Sequence, residues 1–205
     1  MKILVFDTCL DKMYVTIAED DKILSSKIVT NKDNKYHSAF LISTIKEILK
    51  ENNLTPKDLS AIGTNIGPGS FTGIRACTTV ARMMAQQLNI PAAGISSLEI
   101  LAKINPTSEP TMVALDARKN CAYLHVDNKL HGAVQLEKVQ ELLQEKKYYL
   151  ITDDKLQKIL GGTSYQQEEY KLGEILAKLA YEKLKSESCK WQELKPLYIQ
   201  PPPMG

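Results

Sequence analysis

At 205 residues the chain suits one large domain or two of about a hundred residues each, and either is long enough to bury a substantial core. Hydrophobic residues at 43% and charged residues at 24% are ordinary globular usage and exclude global disorder. A formal charge of only +2 excludes a wholly basic nucleic-acid coat but leaves room for a local patch.

The apolar run Ile3 to Phe6 predicts a first strand, β-branched Tyr14 to Ile17 a second, and Ile23 to Val29 a third after an acidic turn. A helix is expected to open near Asn34, since Phe40, Leu41, Ile45, Ile48 and Leu49 recur at helical spacing and Asn52-Asn53 closes it. Thr55-Pro56-Lys57-Asp58 reads as a capped short helix and Ala61 to Ile66 as a strand. Gly67 to Gly73 is a tight loop feeding a long helix, Ile74 to Leu88. A short strand, Ala92 to Ile95, and a helix from Ser97 to Ile104 follow.

Asn105 to Pro110 is the best linker candidate, which divides the chain into domains 1–104 and 105–205. Beyond it Met112 to Leu115 and Cys121 to Val126 read as strands, Val134 to Gln144 as helix, Tyr148 to Thr152 as strand and Glu168 to Lys185 as a long helix. The tail from Lys195 is extended by its consecutive prolines. A shift of 109 residues lays Ile3–Asp7 on Met112–Asp116 and Tyr14 on Tyr123, so two lobes on one strand–strand–strand–helix plan are expected.

The loop Gly67-Pro68-Gly69-Ser70-Phe71-Thr72-Gly73-Ile74-Arg75 has two readings. Helix N-terminal N–H groups attract anions, which makes Gly67, Gly69, Ser70, Thr72 and Arg75 candidate phosphate contacts. Yet a Walker loop requires Lys and Ser/Thr after its last glycine, and a dinucleotide fingerprint requires Gly where Thr72 stands. The second reading is a structural turn in which Ser70 and Thr72 cap the helix. The helix itself carries one apolar stripe (Ile74, Cys77, Ala81, Met84, Leu88) beside another (Ala76, Val80, Met83), and so is either sandwiched in a core or used to bind another subunit.

Asp7 and Asp116 end the matching strands, where a carboxylate holds a metal-bound phosphate or caps a turn. There is no His-Glu-x-x-His, cysteine cluster or Gly-x-Ser-x-Gly, hence no expected metal and no catalytic constellation. No stretch approaches the about 20 apolar residues of a membrane span, and the N-terminal apolar run meets Asp7 too early for a secretory leader. Cys9, Cys77, Cys121 and Cys189 are dispersed, the pattern of reduced thiols in a cytoplasmic protein.

Gly67 to Arg75 resembles the signature loop of the TsaB family of tRNA threonylcarbamoyladenosine biosynthesis proteins. The likeness continues, in order, through Ile3 to Thr8, His37-Ser38, Ile90-Pro91, Gly94 to Leu98, Asp116-Ala117-Arg118 and Pro196-Leu197-Tyr198. It implies an α/β fold of two ribonuclease-H-like lobes, as in actin, sugar kinases and heat-shock chaperones, with mixed sheets and flanking helices. It also implies a non-catalytic partner of TsaD, the enzyme that transfers the threonylcarbamoyl group to the adenosine beside the anticodon. The ATPase TsaE would join them, tRNA would be met through the complex, and the chain alone would form a homodimer. TsaD binds its metal through a His-x-x-x-His pair, whereas His37 here is followed by Leu41. On this resemblance the partner interface is expected at Phe40, Leu41, Ile45, Ile48, Ala76, Val80, Met83 and Met84. Nucleotide contact, if this chain makes any, falls to Asp7, Thr8, the loop residues and Arg118. No cofactor is required by the chain itself, with ATP and Mg entering in the complex. Two departures stand out: Ala76-Cys77 and Arg82-Met83-Met84 where the family carries small glycines, and Gln200 where the tail commonly shows Arg. The competing readings are an independent Mg-nucleotide-dependent ATPase or phosphotransferase and a tRNA-binding module.

Overall fold

The structure, a computed structural model, describes residues 1–30 and 37–199, the side chains of residues 37 and 38 excepted. The expected helix start at Asn34, Gln200 and the consecutive prolines lie outside the described residues. The first sheet has the order β3-β2-β1-β4-β5, built from β1 Lys2–Asp7, β2 Met13–Glu19, β3 Lys22–Val29, β4 Ala61–Asn65 and β5 Ala92–Ile95. β1 pairs antiparallel with β2 and parallel with β4. A 3-10 turn, His37–Phe40, leads into α1 Leu41–Glu51, and α2 spans Phe71–Leu88.

Both faces of this sheet are covered, which is why β1 reads as an unbroken apolar run rather than an alternating one. On one face Leu4, Phe6, Val15 and Ile17 meet Leu41, Ile45 and Ile48 of α1 and Ile74, Cys77 and Ala81 of α2. On the other, α6 Leu172–Ser186 lies across the sheet: a Cβ on Gly63 would stand 2.7 Å from Ala180 Cβ, and one on Gly173 2.5 Å from Thr16 Oγ1. The small residues allow the helix to approach the strands this closely.

The second sheet has the order β10-β9-β6-β7-β8, formed by β6 Thr111–Asp116, β7 Cys121–Val126, β8 Lys129–Gln135, β9 Tyr149–Thr152 and β10 Thr163–Ser164. Read from its other edge this is the order of the first sheet, so the expected α/β architecture of two mixed sheets on one plan is present. α3 Ser97–Ala102 precedes it, and α4 Leu136–Glu145 and α5 Asp154–Leu160 flank it. Leu136, Val139 and Leu156 close a core over Met112, Ala114, Leu124 and Leu150.

The sequence-derived division at 104/105 differs from the compact units, which are Met1–Ser97 with Lys171–Leu197, and Leu98–Tyr170 with Tyr198 and Ile199. The cause is α6, whose apolar face (Leu172, Leu176, Ala177, Ala180) is buried on the first sheet. The 109-residue overlay also needs correction. Asp7 pairs with Tyr14, but Asp116 pairs with Ala122 and Tyr123 with Leu115. The loop between β6 and β7 is one residue shorter than that between β1 and β2, so the repeat is real in β1/β6 and slips by one in β2/β7. Both third strands carry a bulge at the same place, two pairs from the hairpin turn, at Leu24 and at His131. The repeated plan expects a third strand here without placing it: β8, Lys129–Gln135, is a largely exposed edge strand whose tail the sequence reads as helix, and α5 and β10 carry no such expectation.

Candidate functional site

The C-terminal end of β1, the end of β4 and the start of α2 converge on a buried polar knot. Asp7 is 1% exposed. Its Oδ1 accepts from the Cys9 N–H at 2.6 Å and its Oδ2 from Asn65 Nδ2 at 2.9 Å. Asn65 Oδ1 in turn accepts from the Gly67 N–H at 2.8 Å and from Ser97 Oγ at 2.9 Å. The carboxylate thus sets the geometry of the β1–β2 loop, and Asn65 sets that of the glycine loop.

That glycine loop is shaped by its neighbour in the fold. Gly67 has φ +102° and Gly69 φ +159°. A Cβ on Gly69 would press on the Cys9 carbonyl oxygen, and one on Gly73 on that of Thr8. The Ser70 N–H donates to Cys9 O at 2.8 Å, the Thr8 hydroxyl donates to Gly73 O at 2.8 Å, and Ser70 Oγ accepts from the Gly73 N–H at 3.2 Å. Ser70 is therefore the N-cap of α2, which begins three residues earlier than expected. Thr72 is an exposed helical residue without a capping position.

The fold brings Asp7, Thr8, Gly67, Gly69 and Ser70 together, with Arg75 on the exposed face of α2. Arg118 belongs to the second unit, where its N–H donates to Asp116 Oδ1 at 3.1 Å. This repeats the Asp7-to-Cys9 turn, but Asp116 is partly exposed and its Oδ2 accepts from Lys155 Nζ at 2.7 Å.

The interface residues divide sharply. Leu41, Ile45 and Ile48 lie at 0–4% exposure in the core of their own unit, so their apolar periodicity reports internal packing and they cannot face a partner. Ala76, Val80 and Met84 are half-buried, whereas Phe40 is 39% and Met83 61% exposed. The 3-10 turn that carries Phe40 packs beside α2, and neighbouring Ile42 is 47% exposed. Ile42 was missed because it falls outside the buried stripe of α1.

Residues 22–172 match the family model described as TsaD: tRNA N6-adenosine threonylcarbamoyltransferase. The chain belongs to this family. Within it, the chain is 28% identical over 184 residues to the tRNA threonylcarbamoyladenosine biosynthesis protein TsaB of Buchnera aphidicola subsp. Schizaphis graminum, covering 83% of this chain and 86% of that one. It is 35% identical over 102 residues to TsaB of Bacillus subtilis, covering 50% and 44%. The fold agrees with YeaZ from Pseudomonas aeruginosa, with a TM-score of 0.74 at 20% identity over 96% of this chain and 99% of that one. The resemblance carried by the Gly67–Arg75 loop thus extends over most of the sequence. No helix among the described residues is long and apolar enough to cross a membrane.

Proposed function

We propose that this family member is a non-catalytic partner that binds and activates TsaD in forming threonylcarbamoyladenosine beside the anticodon of tRNAs reading ANN codons. The observation that carries the reading is the apolar strip left on α2, Ala76, Val80 and Met83, with Phe40 beside it. An apolar strip of this kind on a helix whose other stripe is already buried gains by covering itself with another helix. Met83 adds a flexible, adaptable side chain at its most exposed point.

The knot around Asp7 supports the absence of catalysis. Its carboxylate accepts from Cys9 and Asn65 of its own fold, and the Thr8 and Cys9 carbonyl oxygens occupy the glycines' open sides. Of the other phosphate-directed candidates, Thr72 and Arg75 are exposed on α2 and Arg118 lies in the second unit. In this reading the chain itself requires no cofactor; ATP and Mg enter with TsaE and TsaD, in a cytoplasmic complex that reaches tRNA through TsaD. The same strip closes a homodimer when TsaD is absent.

Co-expression with the cognate TsaD tests the proposal. The wild-type chain is expected to co-purify and to support tRNA modification that neither protein performs alone. The paired change Val80→Asp and Met83→Asp is expected to abolish co-purification while the chain stays folded. Undiminished binding by that variant would overturn the interface, and modification by TsaD alone would overturn the role.

A further inference from the structure

Two of the four cysteines, 68 positions apart in sequence, meet in the buried knot: Cys9 just after β1 and Cys77 on the inner face of α2. Their sulfurs and a carboxylate oxygen of Asp7 all lie within 4.8 Å of one another, at 3%, 0% and 1% exposure. Spacing along the chain gave no hint of this, because the ligands come from a strand end and a helix on opposite sides of the glycine loop. The geometry points to a structural metal site for a thiophilic divalent cation, zinc, held by Asp7, Cys9 and Cys77.

The donor set fits that ion. Two thiolates and one carboxylate are a borderline-soft combination, suited to zinc and foreign to the all-oxygen shells of magnesium and calcium. Tetrahedral zinc with Zn–S near 2.3 Å and Zn–O near 2.0–2.2 Å spaces its ligand atoms about 3.5–3.8 Å apart, so a small contraction of the trio suffices. A fourth donor is at hand: Thr8 Oγ1 lies 3.2 Å from Cys77 Sγ, and its proton is committed to Gly73 O, which leaves its lone pairs free. The Thr8 N–H points at the same sulfur, 3.2 Å away, as amides do toward thiolates. Asn65, held by Gly67 and Ser97, orients the carboxylate from outside.

Charge balances as well. Each cysteine is counted as a neutral thiol in the metal-free knot, beside the buried Asp7 carboxylate. Binding exchanges two thiol protons, released to solvent, for one Zn²⁺, with no change of oxidation state and no change in the knot's net charge. The exchange therefore adds no buried charge to a fully desolvated place. The ionisable groups acting on Cys9 are Asp7 from β1 and Cys77 from α2; β4 presents neutral Asn65. A filled site would rivet the β1–β2 loop to α2, the helix of the proposed interface, although the site does not depend on that proposal.

The test uses the full chain, reduced with a phosphine, stripped by chelator and refolded with Co²⁺ or Zn²⁺ so that the buried site fills as it forms. One equivalent of cobalt is expected to give a thiolate-to-cobalt charge-transfer band. Cys9→Ser and Cys77→Ser should each lose that band, and Cys121→Ser and Cys189→Ser should keep it. Circular dichroism confirms that each variant is folded, and Cys9→Ser, nearly isosteric, serves if Cys77→Ser is not. Zinc, measured against a chromophoric chelator, should bind at one equivalent per chain and be lost in both Cys9→Ser and Cys77→Ser. No thiolate band at stoichiometric cobalt, a band that survives in Cys9→Ser, or zinc binding undiminished in that variant would each overturn the site.

Discussion

Thr8 and Gly73 hold each other from both sides: the Thr8 hydroxyl donates to Gly73 O at 2.8 Å, and the Thr8 carbonyl oxygen fills the place a residue-73 Cβ would take. The third glycine of the loop is therefore required by packing against backbone, which cannot swing aside as a side chain does. Gly73→Ala is expected to cost about 3 kcal/mol or more in denaturant unfolding. Gly161→Ala is the comparison: that glycine has φ +76° and nothing within 4 Å of an added Cβ, so backbone strain alone, about 1–3 kcal/mol, is expected.

Asn65 is the single residue that joins Asp7, Gly67 and Ser97. Asn65→Ala takes a donor from the buried Asp7 carboxylate and the acceptor from the Gly67 N–H at once, an expected loss of about 3–5 kcal/mol. Asn65→Asp is more informative. It places a second carboxylate against Asp7, and like charges at hydrogen-bond distance force one to remain protonated, with a folded-state pKa above its unfolded value. Stability contributed by that proton is present at low pH and lost as pH rises. Asn65→Asp should thus unfold more easily at pH 8 than at pH 5, which a pair of urea titrations would read directly.

Ile45 and Met83 share helical apolar spacing but not a role, and the pair separates core from interface. Ile45→Ala removes a side chain at 4% exposure and should cost about 2–5 kcal/mol in any assay of folding. Met83→Ala trims one at 61% exposure and should leave unfolding within about 0.5 kcal/mol while weakening TsaD capture. Thermal unfolding of the isolated chains beside co-purification checks both halves.

That contrast also marks what the residues disclose on their own. The buried stripe of α2 and its polar face (Arg75, Thr79, Arg82, Gln86) follow from periodicity, because a helix turns its side chains at a fixed angle. Ser70 as cap and the repeated strand–strand–strand plan follow from local chemistry and internal comparison. Periodicity does not say what covers an apolar stripe, so α1, facing its own sheet, looked like a partner surface. The meeting of Asp7, Cys9, Asn65 and Cys77 is set by the parallel β1–β4 pairing and the docking of α2, long-range facts with no sequence spacing. The edge strand β8 was hidden because neither of its faces is fully buried, so it lacks a clean alternation. Arg82, on that polar face, reaches across the first unit to the Leu194 carbonyl, a contact that helical periodicity does not foretell.

His125 on β7 gives the pH prediction. It is 4% exposed, and its Nδ1 has no hydrogen-bond partner. Burial pushes its pKa below the ordinary 6.5; nearby His131 adds to that and Glu99 opposes it. The folded chain therefore holds this imidazole neutral where the unfolded chain has begun to take up a proton. Below pH 6.5 the unfolded state binds more protons, so stability falls as pH falls through that range, by at most about 1.4 kcal/mol per pH unit for this one group. His125→Leu removes the titration and keeps the side chain buried and apolar. Urea unfolding at pH 5.5, 6.5 and 7.5 should show the wild type losing stability toward acid, and the variant losing measurably less over the same interval. Parallel losses in the two proteins would assign the acid sensitivity to other groups.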